Sequence, residues 1–332
     1  MAKGRIFSGM QPSGKFHLGN YLGALENWVK LQHDYECFFS IVDWHALTSS
    51  YEDTSRLPEY IHDMALDWLS AGLDPEKNVL FVQSQVKEHA ELHLLLSMIT
   101  PLSWLERVPT YKDKLQQLGT QGKDINTYGF LGYPELMTAD IILYKADTVP
   151  VGEDQIPHLE LTREIVRRFN YLYPLAEPIF PEPKPYLSKA PLLPGIDGRK
   201  MSKSYGNEIP FAASPEELRG RVRLMVTDPQ RVKKTDCGNP DVCTVYTFHK
   251  IFSQGQLDEI ANSCRQASIG CVDCKKRLAE QLVMALADIH VRRSELENNP
   301  GRVKEILDYG AERARKVAAA TMNEVRQAMQ LS

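Results

Sequence analysis

The stretch Arg5-Ile-Phe-Ser-Gly-Met-Gln-Pro-Ser-Gly-Lys-Phe-His-Leu-Gly-Asn20 decides how this chain folds. Arg5 to Ser8 reads as a short strand. Pro12-Ser13-Gly14 makes a tight turn. From Gly19 to Gln32 the pattern is helical, with Tyr21, Leu22, Leu25, Trp28 and Val29 on one face. His17 and Asn20 fall at the start of that helix, three residues apart and so on one side of it. Gly19 leaves the backbone open to a flat ring or a phosphate, and a helix N-terminus favours an anion. Taken alone, the stretch reads equally well as a capped helix with a chance histidine. No Gly-x-Gly-x-x-Gly fingerprint is present, which argues against a dinucleotide site.

The same alternation continues outward. Cys37 to Val42, Val79 to Val82 and Asp147 to Val151 read as further strands, with helical patterns at Leu57 to Ala71 and Ala90 to Ile99 between them. Strand and helix in turn predict an α/β fold with a parallel sheet, whose ligands sit at the carboxyl ends of the strands. The proline-rich tract from Pro174 to Pro194 is expected to be extended and irregular. After Asn207 the pattern is mainly helical: Ser214 to Met225, Val245 to Phe252, Gln256 to Cys264, Lys275 to Ala285 and Glu312 to Met329. The last carries Ala314, Val317, Thr321, Val325 and Ala328 on one stripe, so it is expected to pack against the body. The division predicted is a catalytic domain over 1–205, a smaller helical domain over 206–311, and a final helix at about 312–330 returning to the first.

Composition fits this. The chain has 332 residues, 43% hydrophobic and 25% charged, as expected of a soluble protein with a sizeable core. No secretory signal or membrane-spanning run is read, so a cytoplasmic location is expected. Net charge is −4, which disfavours a non-specific coat for nucleic acid. From Asn207 onward Lys and Arg number 19 against 17 Asp and Glu, and the remainder holds 20 against 26. A polyanion would therefore meet the C-terminal part more easily.

A second motif is Lys200-Met-Ser-Lys-Ser204, after the flexible loop Gly195-Ile-Asp-Gly198. Two ammonium groups, hydroxyls and backbone amides suit a triphosphate, and a mobile loop can close on a transition state. An isolated run of this kind is more often a solvated loop, and no Walker loop precedes it. As a pair, His-Leu-Gly-Asn near the N-terminus and Lys-Met-Ser-Lys-Ser some two hundred residues later resemble the two signatures of class I aminoacyl-tRNA synthetases. Asn20, where many of those enzymes have a second His, is common in the tryptophan enzymes. Ile41-Val-Asp-Trp-His45-Ala, Tyr133-Pro-Glu-Leu-Met137-Thr-Ala-Asp140 and Val149-Pro-Val-Gly-Glu-Asp-Gln155 are similar to tryptophanyl-tRNA synthetases of bacterial type.

The resemblance implies a Rossmann-like catalytic domain, an anticodon-binding helical domain, a homodimer, and the substrates L-tryptophan, ATP and tRNA(Trp). It implies His17 and Asn20 at the phosphates, with Gly19 beside them. Lys200 and Lys203 would face the leaving pyrophosphate, with Met201 and Ser202 in the same loop. Gln11 and Lys114 would meet the phosphates, and Gly152 and Asp154 the ribose. Tyr133 and Gln155 would take the substrate ammonium group, and His45 would also border tryptophan. Mg²⁺ would travel with ATP, held by phosphate oxygens and water. The chemistry of an indole fits what the resemblance implies: Asp140 would accept the ring N–H, with Phe7, Met137 and Val151 packed on the ring. The plain alternatives are a helix cap for Asp140 and core packing for Met137 and His45. A tyrosyl-tRNA synthetase would need partners for a phenol hydroxyl. A catalytically dead RNA-binding relative would not be expected to keep both ATP motifs.

Cys237, Cys243, Cys264, Cys271 and Cys274 crowd into one stretch. Cys271 and Cys274 form a Cys-x-x-Cys pair, and with Cys243 and Cys264 they can hold zinc or an iron–sulfur cluster; Cys237 is an alternative ligand, and reduced structural thiols are a third reading. The stretch looks similar to the [4Fe–4S] site of some bacterial tryptophan enzymes. Nearby Arg219, Arg221, Arg223, Arg231, Lys233 and Lys234 are candidates to follow an RNA backbone.

Overall fold

The structure is a computed structural model that describes residues 3–109, 111, 126–187 and 193–331. Its centre is a sheet of five parallel strands: β1 (Arg5–Met10), β2 (Glu36–Ile41), β3 (Val79–Val82), β4 (Thr148–Val151) and β5 (Lys184–Leu187), in the order β3-β2-β1-β4-β5. The order reverses between β1 and β4, so a crevice opens there at the carboxyl ends of the strands.

The principal helices are α1 (Leu18–Asn20, a π-helical stretch Tyr21–Leu25, and Glu26–Leu31), α2 (Asp43–Ser50), α3 (Leu57–Ala71), α4 (Glu88–Ser97), α5 (Tyr133–Leu143) and α6 (Ile156–Leu172). Beyond the sheet come α7 (Pro215–Leu224), α8 (Thr244–Phe252), α9 (Leu257–Arg265), α10 (Cys271–Glu297) and α11 (Pro300–Ala328). The central strands carry apolar runs, Ile6-Phe7, Cys37 to Phe39 and Val79 to Val82, because both faces are covered. Ile6, Phe39 and Leu80 pack with Leu25 and Trp28 of α1 and Trp68 of α3. Their neighbours Phe7, Phe38 and Phe81 point the other way, into a second core with Leu92 of α4, Ile142 of α5 and Met322 of α11.

The final helix does return to the body. At Gly310 of α11 a Cβ would overlap the Leu80 carbonyl of β3, so helix and strand backbones are in direct contact. Arg326 grips Glu91 at 2.7 and 2.6 Å, and Arg313 donates to the Pro75 and Asn78 carbonyls. The core also runs on across residue 205. Leu18 donates to the Ile209 carbonyl and Phe211 to that of Phe16, while Phe211, Leu218, Phe248 and Leu282 join the cluster of α1 and α3.

Three expectations need correcting. The tract from Pro174 to Pro194 is not wholly irregular, because Lys184–Leu187 pairs with β4. It is an exposed edge, where Pro185 is tolerated. The helix read at Lys275 to Ala285 extends over Cys271–Glu297. Its far end looks polar because Arg293 pairs with Asp67 and Glu297 and approaches Asp63 at 3.9 Å. Burial raises the Asp67 carboxyl to about 7, with the Arg293 guanidinium opposing that rise. The last helix starts at Pro300, twelve residues earlier than its apolar stripe indicated, since proline at N1 is a natural start.

Candidate active site

The turn after β1 brings His17 to the N-cap of α1. His17 Nδ1 accepts from the Asn20 N–H and Asn20 Oδ1 from the His17 N–H, both at 3.2 Å. This reciprocal cap consumes one ring nitrogen as an acceptor. Burial first, then the charge of Lys203, lowers the His17 pKa to about 4, so the ring is neutral and its proton sits on Nε2. A neutral N–H donor can meet a phosphate without competing for its charge. Gly19 is needed close by: a Cβ there would press on His17 Nδ1 at 3.0 Å and reach Met201 Sδ at 3.5 Å.

The lysine motif closes the same corner. Lys203 Nζ donates to the Ser13 carbonyl at 3.2 Å, and Met201 is buried. Burial pulls the Lys203 ammonium down from its ordinary value, while Glu208 and Asp67 oppose this. Lys200 lies apart from the cluster, exposed, in a bridge with Pro194. Asn207 organises the loop and was missed in the sequence. It is buried, accepts from the Ser202 N–H at 2.8 Å, and donates to Asp197 at 2.7 Å and to the Lys200 carbonyl at 3.1 Å. Lys114 lies outside the described residues.

A cavity of about 230 Å³ fills the crevice between β1 and β4. Phe7, Gln11, His45, Tyr133, Met137, Asp140, Val151, Gly152 and Gln155 all line it. Asp154 stands outside, exposed, accepting from Gln155 Nε2 at 2.8 Å. Tyr133 packs edge-on to His45 with ring centres 4.8 Å apart. Burial, then the charges of Asp140 and Asp154, pushes the Tyr133 hydroxyl up to about 12, so it is a neutral phenol.

Asp140 sits inside α5, not at a helix start, so it is no N-cap. It is 1% exposed, and its carboxylate collects donors from three elements. His89 Nδ1 lies 2.7 Å from Oδ1, His45 Nε2 lies 2.8 Å from Oδ2, and Gln83 Nε2 reaches both oxygens at 2.8 and 2.9 Å. Behind them His89 Nε2 meets the Tyr144 hydroxyl at 2.7 Å. Burial acts to raise the carboxyl, but His89 and His45 outweigh it and hold it well below the usual range. Gln83, His89 and Tyr144 were not singled out in the sequence. The one available signal was position, since Gln83 follows directly on β3.

In the C-terminal part, Cys243, Cys264 and two cysteines at the start of α10 draw near one another. Burial first, then the neighbouring Cys243, Cys264 and Cys271, pushes the Cys274 thiol up to about 12. Among the described residues, no three Cys, His, Asp or Glu side chains gather as a single metal ion requires. Cys237 is exposed. Arg231 is not available to RNA as expected: it is buried and donates to the Ile269 and Lys234 carbonyls, beside Cys264. Arg219 is paired with Glu280 at 2.8 Å, and Arg221 donates to the Gly206 carbonyl. Arg219 and Arg223 of α7 face Lys275 and Lys276 of α10 across a groove floored by Val272 and Ala279.

Residues 2–287 match the family model for class I tRNA synthetases (W and Y). The tryptophan–tRNA ligase of Thermotoga maritima is 53% identical over 98% of this chain and 99% of its own length. That of Aquifex aeolicus is 44% identical over 98% and 100%. Among solved structures, the tryptophanyl-tRNA synthetase from Campylobacter jejuni complexed with ADP and tryptophan superposes with a TM-score of 0.89 at 35% identity, covering 98% of this chain and all of the other.

Proposed function

Because this chain belongs to the class I tRNA synthetases of the tryptophan and tyrosine family, we propose that the cavity at Asp140 receives the indole of L-tryptophan and that ATP lies between His17 and Lys203. The reaction is ATP-dependent activation of L-tryptophan to tryptophanyl-AMP, followed by transfer to tRNA(Trp). One observation carries the assignment of the cavity: Asp140, the one buried anion that lines it among the described residues, is held ionised among Phe7, Met137 and Val151. Such an acceptor matches a large apolar ring bearing one N–H and rejects rings without it.

In the first step a tryptophan carboxylate oxygen attacks the α-phosphorus, and the bond to the bridging oxygen breaks to release pyrophosphate. Both reactants are anions, so the site must align them and offset repulsion. Tyr133 and Gln155 orient the ammonium group, while Gln11, Gly19, Asn20, Gly152 and Asp154 border the nucleotide. His17 donates from Nε2 to a phosphate oxygen. Lys203, with Lys200, Met201 and Ser202 in its loop, answers charge developing on pyrophosphate. Mg²⁺ bound to ATP neutralises phosphate charge. In the second step the terminal ribose hydroxyl of tRNA attacks the adenylate carbonyl and AMP leaves.

The helical part that precedes α11 serves the anticodon arm, and the groove of Arg223, Lys275 and Lys276 follows its phosphates. The charge-reversed variant Lys275→Glu with Lys276→Glu will raise KM for tRNA about tenfold at physiological salt. Tryptophan-dependent pyrophosphate exchange, which needs no tRNA, will stay within about twofold. Exchange with tryptophan and none with tyrosine is the test of the substrate itself. Homodimers are typical of the family, and exposed Leu94, Met98, Leu102 and Tyr128 offer an apolar face for a second copy. Among the described residues no helix is long and apolar enough to cross a membrane.

Cys243, Cys264, Cys271 and Cys274 hold a [4Fe–4S] cluster in this reading. Their grouping supports it: Cys243, Cys264 and Cys271 all bear on the Cys274 thiol, and soft thiolates suit iron–sulfur clusters as well as zinc. Bound there, the cluster would tie α8, α9 and α10 together and take no part in acyl transfer. Anaerobically purified protein will contain about four irons per chain with matching labile sulfide. Stoichiometric zinc, or no metal, overturns the assignment.

A further inference from the structure

We propose that His45 is a displaceable stand-in for the substrate: it fills Asp140 Oδ2 while the cavity is empty and yields that position to an incoming ring N–H. The inference rests on the reading of the cavity as a tryptophan site.

A carboxylate offers about four acceptor positions. His89 takes one, Gln83 spans both oxygens, and His45 takes the last, at 2.8 Å from Oδ2. Asp140 therefore has no vacancy for a substrate donor, and one resident must leave. The three residents differ in how they are held. Gln83 and His89 are fully buried behind the carboxylate, outside the cavity lining. His89 is also pinned at its far nitrogen by the Tyr144 hydroxyl. His45 lines the cavity itself, and its Nδ1 is buried without a partner among the described residues. Turning the His45 ring breaks one hydrogen bond; turning the His89 ring breaks two. Of the three donors, His45 is the one that borders the space a ring would occupy.

The device has a physical purpose. An ionised carboxylate in an apolar cavity is unfavourable unless its acceptors are satisfied. With His45 in place Asp140 stays charged and aimed when no substrate is bound. The exchange of one N–H for another then leaves the carboxylate paired throughout.

It also has a consequence for selectivity. An isostere with sulfur in place of the ring N–H displaces nothing, so His45 keeps Asp140 satisfied and the penalty for the wrong ring is softened. Without His45, the isostere would leave Oδ2 short of a donor while tryptophan would still supply one.

Two measurements test this, with L-tryptophan and 3-(1-benzothiophen-3-yl)-L-alanine as probes. In the wild-type protein carrying ¹⁵N-labelled histidine, tryptophan will shift the His45 Nε2–H resonance, and the isostere will bind without moving it. In pyrophosphate exchange, His45→Ala will raise the kcat/KM preference for tryptophan over the isostere about tenfold, the scale of one hydrogen bond to a charged group. Taking the ratio cancels any general weakening of the site. A His45 resonance unmoved by saturating tryptophan, or a preference that stays constant or falls, overturns the proposal. Should His45→Ala fail to fold, the resonance of the wild-type protein decides alone. Absence of exchange with tryptophan in the wild-type enzyme would instead remove the substrate assignment, a distinct outcome.

Discussion

Asp140→Asn will lower kcat/KM for tryptophan in pyrophosphate exchange by on the order of 10²–10³-fold, while KM for ATP stays within about threefold. Asp140 receives three donors from His45, Gln83 and His89. An asparagine offers one acceptor oxygen and turns an NH₂ group on the other side. Wherever that NH₂ points, it faces a donor that had been satisfied, so the whole network must rearrange. The charge that strengthens the bond to an indole N–H is lost at the same time. The effect concentrates on the amino acid because the crevice of His17 and Lys203 is built from other elements. A loss below about threefold, with tryptophan still preferred over its sulfur isostere, would show that the ring N–H is recognised elsewhere. Because His89 and His45 hold the carboxyl well below the usual range, Asp140 should contribute no acid limb to the activity profile above pH 5. An acid limb there that disappears in Asp140→Asn would contradict that.

What the sequence disclosed followed a physical rule. Ile6-Phe7, Cys37 to Val42 and Val79 to Val82 are apolar runs, interrupted only at Ser40, because their strands are covered on both faces, and that pattern survives in one dimension. The first turn was legible because Pro12, Ser13 and Gly14 have narrow backbone preferences. β5 was lost because an exposed edge imposes no apolar pattern on Lys184–Leu187. The end of α10 was lost for a related reason: Arg293 looks like a solvated residue until Asp67 of α3 is placed beside it. The site divides in the same way. Phe7, Tyr133, Met137, Asp140 and Gln155 lie in continuous segments whose resemblance could be read directly. Gln83 and His89 reach the Asp140 carboxylate from elsewhere in the chain, with Tyr144 behind His89, and only the fold brings them together. Asn207, likewise, is an ordinary polar residue until the loop from Asp197 to Ser202 closes on it.

Lys203→Met will lower the rate of adenylate formation about 10²–10³-fold, with KM for tryptophan and ATP within about threefold. At rest Lys203 has a makeshift partner, the Ser13 carbonyl at 3.2 Å, on the turn that leads to His17. Its ammonium is partly desolvated, which pulls its pKa down, and Glu208 and Asp67 help keep the charge in place. A cation held this way gains little from ground-state ATP, whose charge Mg²⁺ already shares. It gains most when the bond to pyrophosphate breaks and negative charge appears on the leaving oxygens. An interaction stronger in the transition state than in the bound substrate raises kcat and leaves KM nearly unchanged. Methionine keeps much of the apolar stem and removes the charge, so packing against Ser13 and Gly14 is disturbed little. Lys203→Arg should recover only a small part of the rate, since a planar guanidinium cannot reproduce a compact ammonium in that corner. Single-turnover formation of tryptophanyl-AMP separates the possibilities. A variant retaining more than a tenth of the wild-type rate, or one whose defect lies wholly in KM for ATP, would make Lys203 a ground-state anchor and return the transition-state role to Lys200.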